Sequence, residues 1–314
     1  MAESAWVYSS KREASSGTGR ALQSDFLVIG HITHDRAPEG FRPGGTVTFA
    51  AVTARRLGRH PAILTSGSLE GIAHSPSPDG PPGTFRLDGD DLDGVLVHVV
   101  PSPATTTFSN IYRDGRRTQI IEAVAGPILP EHLPPAWADV RTVLLGPLVQ
   151  EMPASWARQF PNSLLGVTPQ GWMRKWDKAG RVRPTHWENA GEVLQHVDAA
   201  ILSREDVGGD EATIAELAAQ ARLLVITDGY HGAAVYRNGQ REDVPARPAI
   251  EVDPTGAGDV FATAFLIRLD ETGDPLAATR FAHVVASMSV EAVGLASIPP
   301  RSRVDAWLEQ RNQL

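Results

Sequence analysis

The stretch DPTGAGDVF at residues 253–261 runs without a break into the apolar segment ATAFLIRL. Glycine costs about 1 kcal/mol relative to alanine inside a helix, so Gly256 and Gly258 at a helix mouth serve something other than stability. The free backbone NH groups and positive dipole end of a helix attract anions, and residues without a side chain let an anion approach the backbone closely. Gly256, Ala257 and Gly258 therefore form a candidate anion hole. Asp259 falls in the same first turn, where the dipole favours a carboxylate and is expected to hold its pKa low, leaving an ionised base beside the anion. A base, an anion hole and a hydroxyl between them describe phosphoryl transfer to an alcohol. No GKS or GKT follows the glycines, so the stretch is not a Walker A loop. For a bare Gly-x-Gly, a capped helix with tight packing is the competing reading.

Such a loop needs a rigid frame. FLVIG (26–30) is a continuous apolar run that suits a strand covered on both faces. GGTVTFAAVTARRLG (44–58) reads as a helix opened by glycines and closed by Gly58, with Val47, Ala50, Ala51 and Ala54 on one face, and AILTS (62–66) as the next strand. Residues 67–94 are dense in Pro, Gly, Ser and Asp and read as a long surface excursion. VLVHVV, TTTFSNIYR and TQIIEA, with DGRR between the last two, read as successive strands of a small antiparallel piece. From 142 onward come TVLLG, a helix near 150–159, LLGVT, VDAAILS, the helix EATIAELAAQA, LLVIT and a hairpin around YRNGQ. Ile214, Leu217, Ala218 and Ala221 make one stripe of the second of those helices, and Phe261, Phe265 and Leu269 one face of the helix after the glycines. Strands alternating with helices argue for a mostly parallel central sheet.

The 314 residues suit one large α/β domain over 25–314, preceded by a Ser-, Gly- and charge-rich leader at 1–24. With 29 Lys plus Arg against 37 Asp plus Glu, a net charge of −8 and no long basic run, nucleic acid is not an expected partner. The absence of cysteine excludes disulfides, thiolate metal sites and a cysteine nucleophile. No run approaches a membrane span and the first residues lack a signal-peptide core, which gives the expectation of a cytoplasmic protein. His31 and His34 lack the further ligands a zinc site requires, and Trp172, Trp176 and Trp187 read as core or rim packing.

The TGAGD string before an apolar helix resembles the signature of the ribokinase-like (PfkB) carbohydrate kinases, and three further landmarks follow in that family's order. Asp35 in GHITHD resembles the family's acceptor-binding aspartate, Gly44 and Gly45 its diglycine against the sugar, and TDGYHGAAVY (227–236) its TxGxxGxxxY segment beside the nucleotide. The likeness is closer to plant-type myo-inositol kinases. Those too have phenylalanine, here Phe49, where sugar kinases of the family have asparagine. They share patterns similar to TPQGWMRKWD (168–177), with Gln170 and Arg174, and to SMSVEAVG (287–294). The family's NxxE, which organises magnesium and its waters, is SRED here, so that either Glu205 or Asp206 is its counterpart, and the family's GxDxxG is missing.

The resemblance implies a three-layer α/β/α ribokinase-like fold with a small β lid from about 31–43 and 97–122. It implies ATP and Mg2+ as cofactors, with room for a monovalent cation, and a monomer or homodimer. Asp259 is then the base, and Asp35, Gly44, Gly45, Gln170 and Arg174 face the acceptor. Thr227, Gly229, Gly232, His283 and Ser287 lie beside the nucleotide. The implied acceptor is a polyol or cyclitol, myo-inositol first. A nucleoside or furanose acceptor, or a catalytically silent polyol- or nucleotide-binding regulator, are the alternatives.

Overall fold

Runs such as Phe26–Ile29 and Leu223–Thr227 carry no alternation of apolar and polar residues, and the computed structural model shows both faces of their sheet covered. The structure describes residues 24–37, 40–78, 80–89, 91–113 and 116–312, so the expected leader lies outside them except for Ser24. The sheet has eleven strands. Its parallel centre runs, in spatial order, Leu223–Thr227, Ala199–Ser203, Leu164–Val167, Thr142–Leu145, Phe26–Ile29, Pro61–Gly67 and Leu96–Pro101, with antiparallel strands at both edges.

Six helices flank it among the described residues: α1 (Thr46–Arg56), α2 (Ala190–Leu194), α3 (Glu211–Gln220), α4 (Ala257–Thr272), α5 (Pro275–Ser289) and α6 (Arg301–Asn312). Val52, Phe265 and Phe281 fill the core between one face of the sheet and α1, α4 and α5. Trp156, Leu194 and Leu217 fill the other core, beneath α2 and α3. Helices on both faces make this the expected three-layer α/β/α arrangement. The helix expected near 150–159 is a short 3₁₀ turn, Ala154–Arg158, which Pro153 precedes.

A second sheet of four strands, in the order Gly40–Gly44, Thr33–Ala37, Thr107–Arg113 and Arg116–Ala123, is the small β piece expected as the lid. The run VLVHVV does not belong to it, contrary to the reading from sequence. Leu96–Pro101 pairs in parallel with Pro61–Gly67 in the large sheet, because Val95 and Val97 are fully buried in the core beneath α1. The excursion at 67–94 is also more than surface loop. Its strands His74–Pro76 and Thr84–Leu87 extend the sheet edge, and its scattered Leu69, Ile72, Leu87 and Leu92 are buried in that same core.

Phe26–Ile29 has Pro61–Gly67 on one side and Thr142–Leu145 on the other. The strand order reverses there, and ligands of open α/β sheets sit in the crevice beyond the strand ends at such a point.

Candidate active site

Helix mouths in this protein come in two kinds. Asp210 caps α3 by accepting from the NH groups of Ala212 and Thr213, and Asp274 caps α5 by accepting from Leu276 and Ala277. By contrast α1 and α4 start at Gly45 and Gly256, and neither has a side-chain cap. Both open mouths meet at the switch point. The Phe49 ring of α1 lies against Gly256, and Thr46 lies against Gly146, just beyond the strand Thr142–Leu145.

In α4 the first intrahelical bond runs from the Val260 NH to the Gly256 carbonyl, and the Ala257 NH donates to Pro254 O at 3.1 Å. The expected anion hole is thus corrected at Ala257, whose NH is engaged, and extended to Asp259, whose NH shares the open first turn with that of Gly258. Gly256 is left-handed (φ +76°), and a Cβ there would enter the Phe49 ring. A Cβ on Gly258 would meet nothing within 4 Å, so that residue faces open space.

The expectation of a low pKa for Asp259 is overturned. Part of the residue is accessible, yet its carboxylate is surrounded by protein, and desolvation raises the pKa to about 6. A hydrogen bond with the Thr46 side chain and the positive charge of Arg174 oppose that rise, while the charge of Asp206 adds to it. The helix dipole acts here, but burial outweighs it.

Asp206 is fixed by the Ser203 NH and hydroxyl, both at 2.8 Å, and by the Gln170 side-chain amide at 3.1 Å. Glu205 points outward and is exposed, so of the two acidic candidates Asp206 is the one turned to the site. Gln170, expected on the acceptor, donates instead to Asp206. No cluster of three metal-ligating side chains occurs among the described residues.

On the lid side, the Asp35 carboxylate lies directly over Gly44, where a Cβ would displace it, and accepts from Thr33 Oγ1 at 3.2 Å. Gly45 is equally close to the chain, since a Cβ there would press on His31 O and Leu148. Beneath them His31 is fully buried, with Nε2 2.9 Å from Gly126 O and Nδ1 2.7 Å from Thr106 Oγ1. With both ring nitrogens so engaged, it ties together the segments around residues 31, 106 and 126. Glu151, 4% exposed, accepts from the NH groups of Leu148 and Val149 at 2.7–3.0 Å and from that of His31 at 3.4 Å. Each buried donor left unsatisfied costs about 1–3 kcal/mol, so Glu151→Ala is expected to destabilise the fold by about 2–4 kcal/mol. Urea denaturation measures this, and a change below about 0.5 kcal/mol would contradict it.

On the other side of α4, Thr227 ends its strand, and the turn at Gly229–His231 and Gly232 abuts Val244 and Pro245. Val252 and Asp253 donate to Val290 O, joining the loop before α4 to the end of α5. This rim exposes Tyr230, Ile250, Val252 and Val293. Ser287 is half-buried and donates to Val284 O. His283 is 94% buried, since only 6% of it is exposed; it bonds to the Val244 backbone and packs edge-on against Phe261. Desolvation lowers its pKa to about 4, so the imidazole is neutral and sits in the wall of the rim. Trp172 and Trp187 stack on each other in the core, as expected of packing residues.

Two groups escaped the sequence reading. Thr46 carries only the signal of following a diglycine, and Glu151 only that of an acidic residue within an apolar stretch.

Residues 178–301 match the family model described as pfkB family carbohydrate kinase. A ribokinase of Bacillus subtilis is 40% identical over 100 residues, which are 31% of this chain and 34% of that enzyme. A fructokinase of Klebsiella pneumoniae is 28% identical over 286 residues, covering 81% of this chain and 87% of that one. Among solved structures, a pyrophosphate-dependent kinase in the ribokinase family, complexed with a pyrophosphate analog and myo-inositol, superposes with a TM-score of 0.70 at 21% identity. That superposition covers 90% of this chain and 99% of the other.

Proposed function

We infer that this chain is a ribokinase-like carbohydrate kinase of the pfkB family, an enzyme that moves the γ-phosphate of ATP to a hydroxyl of a polyol or cyclitol, with myo-inositol as the acceptor. One observation carries the chemistry: two uncapped helix mouths converge on one buried carboxylate. Asp259 takes the proton of the acceptor hydroxyl, and the NH groups of Gly258 and Asp259 receive the charge of the phosphoryl in flight. Arg174 adds positive charge at the same place. Magnesium, when bound, neutralises the donor phosphates. A silent binder would have no use for a desolvated carboxylate beside an open helix mouth.

On the donor side, the exposed Tyr230, Ile250, Val252 and Val293 are apolar surface that a nucleobase covers and an inorganic donor does not. This favours a nucleotide donor, although the similar solved structure is of a pyrophosphate-dependent kinase. A monovalent cation has a candidate place at the junction of the 252–255 and 290–294 loops, where Asp253 accepts from the NH groups of Thr255 and Gly294.

On the acceptor side, Asp35 accepts hydrogen bonds from neighbouring hydroxyls and Phe49 offers none, a pairing that suits a ring with one dense hydroxyl cluster and an apolar face. With ATP, myo-inositol is expected to show a higher kcat/KM than ribose, fructose or cytidine. Asp35→Ala is expected to lower that value about ten- to a hundredfold, the worth of a charged hydrogen bond. Measuring phosphorylated product for each acceptor with ATP and with pyrophosphate tests acceptor and donor together. A furanose or nucleoside preferred by tenfold or more would overturn the cyclitol, and product from pyrophosphate alone would overturn the nucleotide donor.

A further inference from the structure

Thr46 is the first residue of α1 and is 2% exposed, so its hydroxyl meets no competing water. It is hydrogen-bonded to the Asp259 carboxylate across the crevice. Its methyl group has a fixed seat: a Cβ on Gly146 would lie 2.5 Å from Thr46 Cγ2 and 3.0 Å from Thr46 Cβ. Gly146 is itself held, its NH donating to Ile29 O at 2.9 Å. A β-branched side chain has few χ1 choices, and seating the methyl on Gly146 turns the hydroxyl one way.

We propose that Thr46 is a positioning residue that aims the Asp259 carboxylate at the acceptor hydroxyl, with Gly146 as the seat that orients it. The inference rests on Asp259 being the base. The charged and polar groups facing Asp259 are Thr46 from α1, Arg174 from the short strand Arg174–Trp176 and Asp206 from the turn after Ala199–Ser203. Thr46 lies on the element that also carries Gly45 at its cap and Phe49 one turn on, both assigned above to the acceptor side. The bond therefore sets base and acceptor in one frame.

The test is kinetic, on the full chain with ATP and its preferred acceptor. Thr46→Val keeps the shape and removes the hydroxyl. It is expected to lower kcat about ten- to a hundredfold with the acceptor KM changed less than about threefold, and to move the acid limb of the pH profile alkaline by about one unit. Thr46→Ser keeps the hydroxyl and is expected to retain the position of the acid limb. Gly146→Ala pushes on the Thr46 methyl and is expected to lower kcat, whereas Gly146→Ala combined with Thr46→Ser recovers part of that loss, because serine lacks the methyl.

Wild-type kcat and pH profile in Thr46→Val, alongside an inactive Asp259→Asn, would overturn this inference and leave the base assignment standing. Equal losses in the valine and serine variants with an unmoved acid limb would reduce Thr46 to packing and overturn it as well. Full activity in Asp259→Asn would instead remove the reading on which it rests.

Discussion

Asp259→Asn is expected to cut turnover by about 10²–10⁴ while leaving ATP affinity nearly intact, because the amide keeps the shape of the side chain and cannot take a proton. The same residue is expected to set the pH dependence. A base works as its conjugate anion, and the Asp259 pKa lies near 6, so kcat/KM is expected to fall as pH drops through about 6 and to level off above 7. The direction follows from the cause. Burial penalises the charged form, so the folded enzyme holds this proton to higher pH than an exposed aspartate does. Initial rates between pH 4.5 and 8.5 check this, as does isothermal titration of each variant with ATP. An asparagine variant that turns over like the wild type would end the assignment, and an acid limb near pH 4 would restore the low pKa read from the helix dipole.

The two glycines of the TGAGD loop are expected to fail in different ways. Gly256→Ala forces an alanine into left-handed backbone and drives its Cβ into the Phe49 ring. The left-handed conformation costs about 1–2 kcal/mol and overpacking about 1–3 kcal/mol, so the variant is expected to lose about 2–5 kcal/mol of stability along with its activity. Gly258→Ala meets open space in the first turn of α4, where alanine is up to about 1 kcal/mol the better helix former. It is expected to be as stable as the wild type, yet to lose about 3 kcal/mol of transition-state stabilisation, roughly a hundredfold in kcat, as its methyl fills the anion's place. Urea melts and steady-state rates on both variants separate the two effects. A Gly258→Ala protein with full activity, or a Gly256→Ala protein as stable as the wild type, would contradict this division.

The glycine loop and the strands behind it were legible because their signals are local: a diglycine, a Gly-Ala-Gly-Asp and continuous apolar runs each depend on a few neighbours. The larger misplacements are non-local. VLVHVV looked like part of a hairpin series, but Val95 and Val97 find their partners beneath α1, some 45 residues earlier in the chain. In 67–94 the apolar residues are too widely spaced to show a period, and they become a core only once the sheet edge is present. The pKa of Asp259 could not be read from its helix position, because desolvation depends on what closes over the carboxylate, and Thr46, Arg174 and Asp206 come from three separate segments. Glu151 was invisible for the same reason: its role is to satisfy backbone NH groups on two loops that only the fold brings together.

The ring of Phe49 against Gly256 couples two positions that selection would otherwise tune separately. In the family this sequence resembles, position 49 is where sugar kinases carry asparagine, so a change of acceptor class invites substitution there. Here that side chain also packs against the backbone of the loop proposed to receive the phosphate. A smaller residue at 49 leaves the loop unsupported before any new hydroxyl is recognised, and a larger residue at 256 is barred while the ring remains. On these assignments substrate range and catalytic competence are expected to be epistatic, so that the order of mutations matters. Replacements that brace the 254–256 turn are expected to be needed before Phe49 is exchanged, and a directed-evolution library that varies position 49 alone is expected to return fewer active variants than one that varies both.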